Sequence, residues 1–385
     1  MLQRAETAPG FSLARSRHIV ADLFTPKPWI YWTDLLVSAV IGNTFFAIAL
    51  LSMRDWPHFL PSLHLATRLG IAIGSYLICS LAFYRMSMFI HELVHIRNGT
   101  MTGFRALWNI LCGIPFLMPS FVYYTHLDHH RRRHYGTEND GEYVSFGVES
   151  PLSIVKHLAF SLLIPILAVT RFLIVGPISW FVPPLRRWVL QRASSMVIDY
   201  DYVRPLPTNA REKRIILLQE VLCFTWLVSL IVVPIVVLHR LPIPMLMLGY
   251  SVSVFILTLN AIRTLGSHRW SNHKHDEMSF VDQLLDSVNV HGRPVIAELW
   301  GPIGTRYHAL HHLFPGLPYH AMPEAHRRLI KQLPEGSPYH QAEEPSLTAA
   351  LIDLWRRSSA AALRQRRRVA RATARARTNQ AAATG

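Results

Sequence analysis

Cysteine is scarce in this chain of 385 residues. There are three, Cys79, Cys112 and Cys223, each inside an apolar run and none in C-x-x-C spacing. That excludes a thiolate zinc site, an iron–sulfur motif and a disulfide framework, and it leaves three buried thiols. Acidic residues are also few, 24 against 39 Lys and Arg, giving a net charge of +15, and charged residues together make up only 16%. So basic a chain raises nucleic-acid binding, but the basic residues flank apolar stretches and no nucleic-acid motif accompanies them. Positive loops beside apolar spans are what the positive-inside rule expects. The chain lacks a haem-binding His-Pro-Gly-Gly and a flavin fingerprint, so electrons for any redox chemistry come from outside. Met1 to Lys27 lack the apolar core of a signal peptide.

What the chain has in abundance is hydrophobic residues, half of the total, gathered in long runs. Such runs point to a membrane protein. Four read as clean spans: Trp29–Met53, Leu69–Ile90, Ile215–Val237 and Ile243–Ile262. Arg85 sits near the end of the second and could reach the interface by extending its side chain. Two further stretches are interrupted. Phe104–Tyr124 holds Gly113, Pro115 and Pro119; His157–Leu185 holds Arg171 and Pro165, Pro177, Pro183 and Pro184. These fit interfacial or re-entrant segments.

The second abundance is histidine, 21 residues, eight of them in three clusters. They are His91 and His95; His126, His129 and His130; and His308, His311 and His312. In H-x-x-H-H the positions i, i+3 and i+4 fall on one helix face and can converge on one point. Neutral imidazole is the commonest side-chain metal ligand. A single metal cannot use eight imidazoles, so two ions are the natural count. Alone, His91-Glu92-Leu93-Val94-His95 is also the H-E-x-x-H of zinc proteases, with Glu92 as base, but the two other clusters would then have no purpose. A histidine-bearing metal transporter would need polar residues along its spans, and those spans are clean.

If the clusters meet, they lie on one side of the membrane. The expectation is therefore an all-α membrane protein: four transmembrane helices in two hairpins, interfacial helices and a cytoplasmic histidine-rich cap. Both termini are expected inside. The expected division is a lead over 1–28, a membrane and metal unit over 29–344, and a basic, partly disordered helix or tail over 345–385. Arg356 to Arg377 make that tail a partner for anionic lipid or, more sharply, for an acidic electron donor.

The ordered set H-x-x-x-H, H-x-x-H-H, H-x-x-H-H beside these spans resembles the three histidine boxes of the integral-membrane fatty acid desaturases, over roughly Trp29 to Arg328. Related hydroxylases and ketolases share this superfamily. The resemblance implies a non-haem centre of two Fe ions held by His91, His95, His126, His129, His130, His308, His311 and His312. It also implies a ninth ligand after the fourth span, for which His268 is the candidate. In animal acyl-CoA desaturases an Asn four residues before this histidine acts through water; here Thr264 stands there. Glu92, Asp128, Asp140, Asp276 and Glu298 are candidates to orient imidazoles from outside, Asp128 foremost, with His134 also nearby. His273, His275, His291, His320 and His326 read as outer or surface residues. The implied reaction takes O2, a fatty acyl lipid and electrons from a ferredoxin, rubredoxin or cytochrome b5-like donor. Desaturation is the favoured outcome, with hydroxylation or ketolation of a lipid, including a carotenoid, as the alternative. A bacterial inner membrane is the expected location.

Overall fold

A computed structural model of the chain describes residues 7, 8, 11–97, 99–273 and 276–384. A two-residue hairpin, β1 (Thr7–Ala8) and β2 (Phe11–Ser12), leads into α1 (Leu13–Ile19). Two long helices follow, α2 (Pro28–Arg54) and α3 (Leu65–His95). Proline opens α2, where its missing N–H has no helical partner to lose. The two pack closely at Gly42, where a Cβ would stand 2.5 Å from the Phe83 ring.

The chain then breaks into short pieces: α4 (Thr102–Trp108), α5 (His126–His129), α6 (Pro151–Phe160), α7 (Ile164–Thr170), α8 (Gly176–Phe181) and α9 (Pro183–Arg192). A second long hairpin, α10 (Ala210–Leu238) and α11 (Ile243–Leu265), is opened by Asn209, whose side chain accepts the Glu212 N–H. The cap follows as α12 (Phe280–Asp286), β3 (Asn289–Val290), α13 (Pro294–Trp300), α14 (His308–Leu313), α15 (Met322–Gln332), α16 (Pro338–Gln341) and β4 (Glu343–Glu344). Strands β3 and β4 pair in parallel. One helix, α17 (Leu347–Thr384), closes the chain; Leu354 and Ser358 anchor its first half, and Arg364 to Arg371 are exposed.

Among the described residues, five segments are long and apolar enough to cross a membrane: α2, α3, Ile164–Phe181, Ala210–Val237 and α11. Their outer faces leave Val40, Ile73, Val233 and Val236 more than half exposed. Each such side chain left in water forgoes about 1.5–3 kcal/mol, so these faces require lipid. The sequence gives four such segments; the fifth is Ile164–Phe181, where a π-helical turn over Arg171–Val175 joins α7 to α8. Its Arg171 is not exposed to lipid. It is buried against Glu220 of α10, which also accepts from Arg186 at 2.6 Å. Arg85, near the end of α3, is paired as well. Its guanidinium pairs with Asp34 of α2 at 2.6 Å and Glu298 of α13 at 2.8 Å, tying the first hairpin to the cap.

One apolar core lies between the long helices, around Phe83, Phe89, Trp108 and Phe121. A second lies in the cap, around Leu310, Leu313, Met322 and Leu329, and takes in Phe11 and Val20 from the N-terminal lead. A third gathers around Tyr135, Tyr143 and Trp270, and its rings pack against His129 and His268.

Candidate metal centre

Each box occupies the end of an element. His91 and His95 form the last turn of α3, His126 to His130 fill α5 and its cap, and His308 opens α14. The third box is aimed by its surroundings. Gly304 turns the chain at φ +71°, with no room for a Cβ beside the Met322 sulfur. Asn289 Oδ1 then accepts the Leu310 N–H at 3.0 Å, between His308 and His311.

The nine histidines expected from the sequence gather into two groups. His91, His95, His126, His130 and His311 form one; His129, His268, His308 and His312 form the other, with the facing nitrogens of each group within 4.8 Å of one another. The three histidines of an H-x-x-H-H box do not meet at one point, as their shared face had suggested. At 3.6 residues per turn, i+4 lies about 40° to one side of i and i+3 about 60° to the other. Consecutive histidines therefore diverge by about 100°. His126 and His130 face one group while His129 faces the other; His308 and His312 face the second group while His311 returns to the first.

The nitrogens are arranged for cations. His126 and His130 approach Nε2 to Nε2 at 2.9 Å, His130 and His311 at 3.0 Å, His268 and His308 at 2.8 Å, and His308 and His312 at 3.1 Å. Two nitrogens bound to one ion at right angles stand about 3 Å apart. Both ring nitrogens of His91 and Nε2 of His95 are sealed from solvent with no hydrogen-bond partner. Burial, reinforced by neighbouring imidazoles, holds His126, His130, His308, His311 and His312 well below the usual imidazole range. Burial does the same for His268. Burial thus favours the neutral ring, the form that ligates metal. The residues present thus fit a pair of metal ions.

Three outer contacts fix which nitrogen faces inward. His129 Nδ1 donates to Asp140 at 2.8 Å, and His126 Nδ1 meets Glu142 at 3.0 Å. His268 Nδ1 donates to the Tyr135 hydroxyl at 2.8 Å, which in turn donates to Asp286 at 3.0 Å. Burial disfavours charge on His129, but Asp140 beside it prevails and raises its pKa. Burial pushes Glu142 up to about 8.

Of the outer residues expected from the sequence, Asp140 alone does this work. Asp128, though inside a box, turns outward to Arg131 at 2.6 Å and Tyr202 at 3.0 Å, because i+2 on a helix faces away from i and i+4. His134 stands 3.5 Å from Asp128, outside both groups. Glu92 is not presented to the histidines; it accepts the Tyr31 hydroxyl at 2.7 Å. Glu298 belongs to Arg85, the backbone carbonyl of Asp276 receives Asn272, and Thr264 makes no side-chain hydrogen bond among the described residues. His320 accepts the Lys27 N–H, His273 is exposed, and His275 lies outside the described residues. Glu142, Tyr135 and Asp286 were not read from the sequence. The acidic run Glu138 to Glu142 just after the second box was the available signal for the first. A cavity of about 160 Å³ touches one histidine of each group, His130 and His312, and is walled by Arg132, Phe280 and Pro315.

Two comparisons bear on this arrangement. The family described as fatty acid desaturase matches residues 66–343. A ceramide hydroxylase of Caulobacter vibrioides (strain NA1000 / CB15N) is 39% identical over 355 residues, 92% of this chain and 96% of that protein. No solved structure matches the chain.

Proposed function

The chain belongs to the fatty acid desaturase family of membrane di-iron enzymes, and on that premise we propose that it is a lipid hydroxylase acting on ceramide or a similar long-chain amide lipid. The observation that carries this reading is the near end-to-end similarity to a ceramide hydroxylase. Desaturation, favoured by the boxes alone, gives way, because the two reactions use the same boxes and the similarity over the rest of the chain supports hydroxylation.

Five histidines would hold one iron and four the other. Bound there, the pair supplies reduction of O2 and oxidation of an unactivated C–H bond, with two electrons from an external donor and water as the second product. The chain's own part is to accept the Nδ1–H of His126, His129 and His268 at Glu142, Asp140 and Tyr135, which keeps each Nε2 lone pair turned inward. The flanking cores exclude bulk water from the site.

The grouping also supports four membrane crossings. Box two and box three share the two groups, and α10 and α11 form a hairpin that ends beside His268. The number of crossings between His130 and Ala210 is then even, and Ile164–Phe181, the one candidate there, dips in and returns. Its paired Arg171 suits that course. With four crossings, Arg131 to Arg133, Arg186, Arg187 and Arg192 share the histidine side, and the positive-inside rule supports a cytoplasmic face for it.

The test is mass spectrometry of ceramides after expression in a host supplying a compatible donor, under 18O2. A gain of one labelled oxygen is expected. A product two hydrogens lighter without oxygen would restore desaturation and overturn the proposal.

A further inference from the structure

Outside the nine-histidine centre, His291, His326 and Glu343 bring their ligand atoms within 4.8 Å of one another. They come from three segments: the residue after β3, the middle of α15, and β4. His291 Nε2 lies 2.5 Å from Glu343 Oε2, and His326 Nε2 lies 3.5 Å from the same oxygen. Yet Glu343 Oε2 is sealed from solvent without a hydrogen-bond partner. The 2.5 Å contact therefore fails as a hydrogen bond on direction, not on distance. A cation among the three groups would satisfy the oxygen, which an ordinary His–Glu bond here does not.

The remaining atoms are held as metal ligands usually are. His326 Nδ1 is engaged by the Tyr339 hydroxyl at 2.9 Å, which leaves Nε2 to face the carboxylate. Glu343 Oε1 accepts from Asn289 Nδ2 at 2.8 Å, which leaves Oε2 free. Two imidazoles and a carboxylate suit zinc, with a fourth position for water. His291 is 52% exposed, so water can reach it.

We propose that His291, His326 and Glu343 bind one zinc ion that staples α15 to the β3–β4 pair. Strands of two residues hold little by themselves, and the staple would fix the element that aims the third box. The link is direct: Glu343 holds Asn289, and Asn289 holds the Leu310 N–H between His308 and His311.

The test is zinc retention by the purified, iron-loaded full-length protein after incubation with ZnCl2 and gel filtration, read by elemental analysis. The wild type should keep one zinc per chain above its iron. His291→Ala and Glu343→Gln should each keep less than a tenth of that, with iron unchanged. X-ray absorption of the retained zinc should show two imidazoles with oxygen ligands. Should Glu343→Gln fail to fold, His291→Ala at its half-exposed position decides. No retained zinc, equal retention by His291→Ala, or an all-imidazole zinc shell would overturn the proposal. Because the assay uses no substrate, its outcome is independent of hydroxylation.

Discussion

Replacing Asp140 by Asn should separate an outer residue that controls the metal from one that only neighbours it. Asp140 is fully buried and accepts three hydrogen bonds. Oδ2 takes His129 Nδ1–H at 2.8 Å and the Gly136 N–H at 3.0 Å, while Oδ1 takes the Glu142 N–H at 2.9 Å. An asparagine amide offers one acceptor oxygen and one NH2. Whichever way it is turned, at least one native donor faces another donor. A buried unsatisfied group costs about 1–3 kcal/mol. The charge that holds the His129 proton on Nδ1 is also lost. Losing such a partner typically lowers metal affinity or activity about 10–100-fold, which equals about 1.4–2.8 kcal/mol. The assay is iron content and turnover of Asp140→Asn beside Asp128→Asn, with Tm measured on the same samples. Asp128 reaches no box histidine, so Asp128→Asn should keep its iron. Wild-type iron and turnover in Asp140→Asn would refute the reasoning, as would an equal iron loss in both variants.

The two-group arrangement makes a stoichiometric forecast: His311→Ala should weaken the five-histidine site and His268→Ala the four-histidine site, each retaining close to one iron of two by elemental analysis. Loss of both irons in each variant would argue for a single interdependent cluster. Glu220→Gln leaves Arg171 and Arg186 facing a neutral amide in an apolar setting and should destabilise the fold by about 3–5 kcal/mol; a Tm within a degree of wild type would contradict this. Arg328 holds the Asp22 and Glu324 carboxyls below their usual range. Their contribution is present above the ordinary carboxylate pKa and is lost as pH falls through the lower, folded values. Protection of α1 amides, taken relative to the intrinsic exchange rate at each pH, should therefore fall on acidification from neutral pH toward pH ~3 while cap peptides around Leu310 keep theirs; uniform protection factors across that range would rule it out.

The long helices and the eight box histidines were legible from sequence because both are local patterns, whereas His268 came only from the family resemblance. An apolar run of span length declares itself, and histidines at i and i+4 share a helix face wherever the helix sits. Ile164–Phe181 was read as interrupted because Arg171 and two prolines break its pattern; that Glu220, about fifty positions later, neutralises the arginine is a tertiary fact. The same holds for the site's outer residues. Asp128 had the right address in the chain and the wrong direction in space, whereas Asp286, over 140 positions from Tyr135, reaches His268 through that hydroxyl. Spacing put the histidines of each box on one helix face. It could not decide how eight box histidines divide into five and three, with His268 joining the three. That division depends on the angle at which three helix ends meet. It is set by contacts that spacing does not encode, such as Asn289 Oδ1 on the Leu310 N–H and the Met322 sulfur against Gly304.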